Sequence, residues 1–413
     1  MGSLKDHAVR ILWCKANKLL PLHSGGDIRS YHIARQLASR HELTFLSYYD
    51  GVPDPAYQEE LSRHFPGAIS VCTGKPEGGW ARALQYSLTI AGQSPFAVRR
   101  FASDQVQQLI QTCFQERRCD VAVCDFLDAA INFPDSLDLP CVLFQHNVES
   151  EIWRRHAATE SNPAKKLMYK LEFEKMVRYE AATVRKFHQV IAVSEHDREL
   201  MSRWVDSEKI QVVPTGVDLR EYRPDWNSPD PAPVVTFVGA MDWEPNIDAV
   251  EYFCTDIWPR VLAEVPDAVF RIVGRNPDGR VQSFVSSSVQ VTGRVPSVLE
   301  HLRQAAVVVV PLRIGGGTRL KIYEAMAAGK AVVATSVGAE GLDVHDGRDI
   351  MLQDDPAGFA RSVVGLLKDR KTRLGYERAA AELAARYDWP AVARSFEKVL
   401  QQMLATEPLV SAM

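Results

Sequence analysis

Short, unbroken apolar runs rich in β-branched residues recur along the chain, separated by stretches whose apolar positions repeat every three or four residues. Runs at 8–13, 43–47, 120–126, 141–146, 189–194 and 210–214 form a first series, and runs at 234–239, 268–274, 289–293, 305–312 and 331–336 form a second. Continuous rather than alternating runs are expected of strands covered on both faces, as in a parallel sheet. Strands that alternate with helical spacing predict an α/β fold of two Rossmann-like, doubly wound domains.

Between the two series lies "LREYRPDWNSPDPAPV" (219–234), with four prolines and no periodicity, the strongest linker signal in the chain. The reading is a first domain over 1–218 and a second over 219–389. A helix over 390–413, with Val392, Phe396, Val399 and Leu400 at helical spacing, is expected to return to the first domain. Doubly wound domains bind ligands beyond the carboxyl ends of their strands, so two such domains facing one another would line a shared cleft.

A length of 413 residues exceeds one compact core and fits two. A net charge of −4 argues against non-specific nucleic-acid binding. Seven cysteines, odd in number and without a CxxC pair, fit a reducing cytoplasm and predict no metal site. No apolar stretch approaches the length of a spanning helix. The expected location is therefore cytoplasmic, with membrane association at the cytoplasmic face left open.

Candidate chemistry concentrates in "PLRIGGGTRLKIYEAMAAGKAVVAT" (311–335). Gly315, Gly316, Gly317 and Thr318 fall at a strand exit and a helix entrance. There, free N–H groups and the positive end of the helix dipole favour an anion, and glycines let it approach. Arg319 and Lys321 add two cations, and Glu324 lies one to two turns into the helix, where a carboxylate can accept bonds from ribose hydroxyls. The alternative is a flexible turn with a capped helix. The stretch matches neither the P-loop spacing nor the first-unit dinucleotide fingerprint.

The first domain offers Gly25 and Gly26, which open a helix after the first strand. His146 stands directly after a buried strand, where α/β sheets present reactive groups. A neutral imidazole there can bond a sugar hydroxyl, and an imidazolium can stabilise negative charge. Glu149 is open between orienting His146, binding an acceptor hydroxyl and capping the next helix. Asn246 and Asp248 read as helix caps. Residues 164–187 read as a solvated amphipathic helix. "DFLD" (125–128) lacks a DxD metal motif. Residues 78–103, with Trp80, Leu84, Tyr86, Phe96, Phe101, Arg82, Arg99 and Arg100, are either domain packing or a ledge for a lipid-linked acceptor or an anionic bilayer.

Residues 311–342, together with "AVSEHDRELM" (192–201), "VVPTGVDLREYRP" (212–224) and "VTGRVPSVLEHLRQAAVVVVPL" (291–312), resemble the glycogen-synthase-like retaining glycosyltransferases, family 4, of the GT-B fold. The likeness spans nearly the whole chain. It implies hexosyl transfer with retention from a nucleoside diphosphate sugar, a co-substrate rather than a cofactor, to a small-molecule, polysaccharide or lipid-linked acceptor hydroxyl; with Arg319 and Lys321 supplying the charge and no DxD motif present, a divalent metal is not expected to be needed. It also implies that Gly25, Gly26, Gly239, Arg275 and Val295 lie near the donor, and that His146 meets the donor sugar. Two departures stand out. Gly316 occupies the place of the first Glu of the family's paired-glutamate motif, and Ala240 and Pro245 occupy the places of two phosphate-binding cations. Arg319 and Lys321 are basic where relatives with both glutamates usually are not, which suggests that the cation supply has moved. A non-catalytic nucleotide-sugar-binding partner and a GT-B nucleotide-sugar epimerase are the alternatives.

Overall fold

A computed structural model describes residues 8–22, 24–74, 92, 94–160, 162–227, 229–314 and 319–406. The chain divides into two compact units, one running to Pro214 and taking in the terminal segment from Trp389, the other spanning Thr215–Asp388.

The first unit is built on strands β1 (Arg10–Ala16), β2 (Glu42–Tyr49), β3 (Ile69–Cys72), β4 (Val121–Asp125), β5 (Cys141–Phe144), β6 (Gln189–Ala192) and β7 (Ile210–Val212), ordered β3-β2-β1-β4-β5-β6-β7. The second carries β8 (Val234–Val238), β9 (Val269–Val273), β10 (Val289–Val291), β11 (Val307–Val310), β12 (Ala331–Ala334) and β13 (Met351–Leu352), ordered β10-β9-β8-β11-β12-β13. Every pairing between these strands is parallel. The strand order reverses between β1 and β4 in one sheet and between β8 and β11 in the other. Connecting loops splay apart at such reversals, which is where doubly wound sheets hold ligands.

The valine run predicted for β11 is buried throughout, as are all five residues of β4, because helices cover both faces of each sheet. Two strands were not expected from the pattern. β3 (ISVC) and β13 (ML) are short edge strands with one neighbour each and mostly half-buried or exposed side chains, so neither carries a continuous apolar run.

The terminal helix Trp389–Thr406 packs on the first unit. Fully buried Phe396 lies 5.4 Å from Trp13 and 5.0 Å from Phe144, ring to ring, and His32 stacks on Trp389 at 4.9 Å. Glu397 pairs with Arg40 at 2.8 Å and with His41 at 2.9 Å. The proline-rich segment between the two series of strands packs on the second unit: Leu219 and Tyr222 lie against its core, and Asp230 pairs with Arg373.

Candidate functional site

In the first unit, the reversal gathers buried charge. Lys15 and Asp125 are register partners at the ends of β1 and β4, and both side chains are buried. Helix α1 (Gly25–Ala38) begins beside them, its first turn closed by a reciprocal capping box between Ser24 and Asp27. Asp27 also takes the Lys15 ammonium at 3.3 Å. Asp125 accepts from Trp13 Nε1 at 2.8 Å and from His146 Nε2 at 2.7 Å, while Arg29 donates to His146 Nδ1 at 2.8 Å. A guanidinium has no acceptor, so Nδ1 must accept and the imidazole proton resides on Nε2.

Both ring nitrogens of His146 are thus engaged inside the protein. Burial lowers its pKa to about 4; the hydrogen bond and charge of Asp125 oppose this shift, while Arg29 and Lys15 reinforce it. In this structure His146 is therefore neutral at pH 7 and offers no ring nitrogen to a sugar hydroxyl. Burial also draws the Arg29 guanidinium down to about 10. For Asp125, burial acts to raise the pKa, but Lys15 and the His146 hydrogen bond outweigh it and hold the carboxyl below its usual range.

Phe126, next after β4, adopts φ +71°, a costly conformation for a bulky side chain. Its ring stacks on His146 at 3.7 Å and 5°, and Lys15 Nζ lies 4.3 Å from its centre. A Cβ at Gly26 would collide with that ring. Gly26 is therefore glycine because an aromatic side chain fills the space before α1.

Glu149 begins helix α2 (Glu149–Thr159), where its carboxylate accepts from Asn147 at 3.4 Å; Asp125 and Arg29, not Glu149, orient His146. The cap of α2 comes from elsewhere. Glu180, on helix α3 (Pro163–Lys186), accepts from the Glu149 and Ser150 amides at 2.8 and 3.0 Å and from Gln145 Nε2 at 2.8 Å. Helix α3 is thus not only a solvated surface element: it buries Glu172, Met176 and Glu180. Burial raises the pKa of Glu180 to about 7. Glu149 is also raised, first by burial and then by Asp128 and Glu180, and burial raises Asp128. Of the apolar and cationic ledge, Trp80, Arg82, Leu84 and Tyr86 lie outside the described residues, while Phe101 is buried in the first unit's core.

In the second unit, Gly315, Gly316, Gly317 and Thr318 lie outside the described residues. Arg319 immediately precedes helix α5 (Leu320–Ala327) and is buried, 5% exposed. Helix α4 (Glu244–Tyr252) follows β8 and carries Asn246, which is not a cap. Its Nδ2 donates to the Ala240 carbonyl at 2.8 Å and its Oδ1 accepts from Lys321 Nζ at 3.0 Å. Asp248 pairs instead with Arg313 at 2.6 Å. The Lys321 ammonium lies 4.5 Å from the Phe237 ring centre. Burial draws its pKa to about 7; Arg319 adds to the shift and Glu324 opposes it. Burial raises Glu324 to about 7, with repulsion from Glu221 adding to the effect, while Lys321 and a hydrogen bond from Tyr222 pull the other way.

A Cβ at Gly239 would lie 2.7 Å from Asn246 Nδ2, so that glycine admits the asparagine amide. Arg275 follows β9 and its carbonyl accepts from Met241 N at 3.0 Å; Val295 lies in the loop after β10. Arg319, Lys321, Glu324 and Gly239 thus gather where this sheet reverses, with Arg275 and Val295 beyond the neighbouring strand ends. Lys15, Arg29, Asp125, Phe126 and Glu180 were not singled out by the sequence, and Asn246 was read only as a cap. The charges at the ends of the apolar runs "RILWCK" and "VAVCD" are the signal that marks Lys15 and Asp125. Among the described residues, no cluster of His, Cys, Asp and Glu has the geometry to hold a metal, and no helix is long and apolar enough to cross a membrane.

Residues 23–221 match the family described as Glycosyltransferase Family 4, and residues 232–369 the family described as Glycosyl transferases group 1. The phosphatidyl-myo-inositol mannosyltransferase of Mycolicibacterium smegmatis is 29% identical over 233 residues, 53% of this chain and 59% of that protein. A D-inositol 3-phosphate glycosyltransferase of Corynebacterium glutamicum is 24% identical over 259 residues, 53% of this chain and 58% of that protein. The chain thus spans under two thirds of the length of these curated relatives. Among solved structures, Anabaena Alr3699/HepE in complex with UDP-glucose superposes with a TM-score of 0.64 at 16% identity, covering 95% of this chain and all of that one. S. aureus TarM in complex with UDP superposes at 0.66 and 10% identity, covering 96% of this chain and all of that one. Both halves of the chain therefore match glycosyltransferase families, and the fold is GT-B.

Proposed function

We propose that the chain transfers a hexosyl group from a nucleoside diphosphate sugar to an acceptor hydroxyl, with retention of anomeric configuration and without a divalent metal. The observation that carries this reading is the convergence of Arg319, Lys321 and Glu324 at the strand-order reversal of the second unit. Glycosyl transfer leaves a diphosphate whose charge grows as the anomeric bond breaks, and cations already in place lower that barrier. Arg319 and Lys321 supply that charge, and Glu324 accepts from the ribose hydroxyls. The UDP-glucose held by Alr3699/HepE is consistent with a nucleotide-sugar donor. The mannosyltransferases of phosphatidyl-myo-inositol suggest a hydroxyl of a cyclitol or its lipid as acceptor.

In the first unit, the Asp125–His146–Arg29 chain acts as a rigid floor. It keeps Lys15 and Phe126 fixed where α1 begins, and Glu149 stands beyond it for an acceptor hydroxyl.

Incubation with UDP-, GDP-, ADP- and dTDP-sugars, with and without inositol and phosphatidylinositol acceptors, tests the reading. Acceptor-dependent release of nucleotide, with the donor's anomeric configuration in the product, supports it. Binding without release indicates a non-catalytic partner, sugar isomerisation without an acceptor an epimerase, and an inverted product contradicts retention.

A further inference from the structure

We infer that Asn246 is a positioning residue for Lys321: its amide holds the helix-borne ammonium at the carboxyl end of β8 without neutralising it, leaving the charge for the diphosphate of a nucleotide sugar. The inference rests on the nucleotide-sugar reading given above and deepens it.

The contact crosses the point where the second sheet reverses. Asn246 follows β8, Lys321 follows β11, and these two strands are neighbours although far apart in sequence. The 3.0 Å bond between them therefore ties together the first turns of the two helices that follow these strands, at the position where doubly wound sheets hold ligands.

The orientation of the amide is fixed. The Ala240 carbonyl can only accept, so Nδ2 must face it, at 2.8 Å, and Oδ1 must face the ammonium. Asn246 is 2% exposed, and its amide fits only because residue 239 has no Cβ. Two departures from ordinary packing, a buried amide and a glycine that makes room for it, thus serve one contact.

The chemical type of the tether matters as much as its place. A carboxylate at 246 would form an ion pair and cancel the lysine charge locally, whereas an amide directs the ammonium through one of its three donors and leaves the net charge in place. The other charged neighbours of Lys321 are Arg319 and Glu324. Glu324 receives a hydrogen bond from Tyr222, and the Phe237 ring, 4.5 Å away, supports a cation on its face without adding charge.

Calorimetric titration of the full chain tests this, using whichever of UDP, GDP, ADP and dTDP binds the wild type and the corresponding nucleoside. Asn246→Asp keeps the size of the side chain but adds a negative charge, and is expected to weaken the diphosphate about tenfold while leaving the nucleoside unchanged. Lys321→Met is expected to do the same. The double variant is expected to be no weaker than Lys321→Met alone, because one residue acts through the other.

Unchanged diphosphate affinity in Asn246→Asp, a parallel loss for the nucleoside, or additive losses in the double variant would each overturn the assignment. Should Asn246→Asp fail to fold, Asn246→Ala takes its place, with a few-fold loss expected and the same non-additivity with Lys321→Met. A wild type that binds none of the four diphosphates overturns the donor reading, and this inference with it. Binding by the wild type with no response to Asn246 sinks this inference alone.

Discussion

Lys15 and Asp125 stand opposite one another in register at the carboxyl ends of β1 and β4, the strands between which the first sheet reverses its order. Through Asp125 the pair reaches His146, and through His146 it reaches Arg29 on α1. The result is a buried network in which charges of opposite sign are matched and the imidazole stays neutral.

That neutrality sets a pH dependence. The folded-state pKa of His146 is about 4, against an ordinary value of 6.5, so between these values the unfolded chain binds a proton that the folded one does not. The stability of the fold, its free energy of unfolding, is expected to fall as pH drops from 6.5 to 4. Replacement by His146→Gln should lower stability overall but remove this part of the slope. Denaturant titrations of both proteins across the window measure the difference, and parallel slopes would refute the buried neutral ring.

Gly26→Ala should destabilise the first unit by about 1–3 kcal/mol. The added methyl meets the Phe126 ring, which is held by its stack on His146 and by Lys15. Truncation in Gly26→Ala/Phe126→Leu should recover part of the loss. Urea midpoints of the single and double variants decide this.

Lys321 carries a stability cost that follows from its proposed use. Its folded-state pKa of about 7 lies below the ordinary 10.5, so burying the charged form is unfavourable. The cost is full below pH 7 and vanishes as pH rises from 7 to 10.5. Lys321→Met should therefore raise the melting temperature of the ligand-free protein at pH 6, with the gain shrinking by pH 10, even as it weakens diphosphate binding. A destabilised variant at pH 6 would show that the ammonium is held by more than Asn246 and Phe237.

The fold was legible because parallel strands buried on both faces declare themselves as continuous apolar runs, and because Phe396 and its helical neighbours mark the terminal helix. The edge strands β3 and β13 were not, having too little buried surface to shape the sequence. Within the site, sequence reading drew attention to Arg319, Lys321, Glu324 and His146, since glycine turns and strand ends have local signatures. It mistook Asn246 for a cap and passed over Lys15 and Arg29. Their roles depend on partners 75, 110 and 117 residues away, Lys321, Asp125 and His146 respectively, and no local pattern encodes such a distance.

Transfer should survive chelation. On the proposed reading, in which Arg319 and Lys321 provide the charge that meets the diphosphate, EDTA is expected to leave the initial rate unchanged. Loss of activity that Mn²⁺ restores would show that a metal takes this part.

The most direct test of the central claim, a nucleoside diphosphate site in the second unit, is a thermal-shift titration of the wild type with UDP, GDP, ADP and dTDP, repeated on Arg319→Ala. A ligand that binds only the folded state at a hundred times its dissociation constant adds about 2.7 kcal/mol of stability. We predict a saturable rise in melting temperature for at least one of the four, much reduced in Arg319→Ala. No rise with any of them, or a rise undiminished in the variant, would contradict the account.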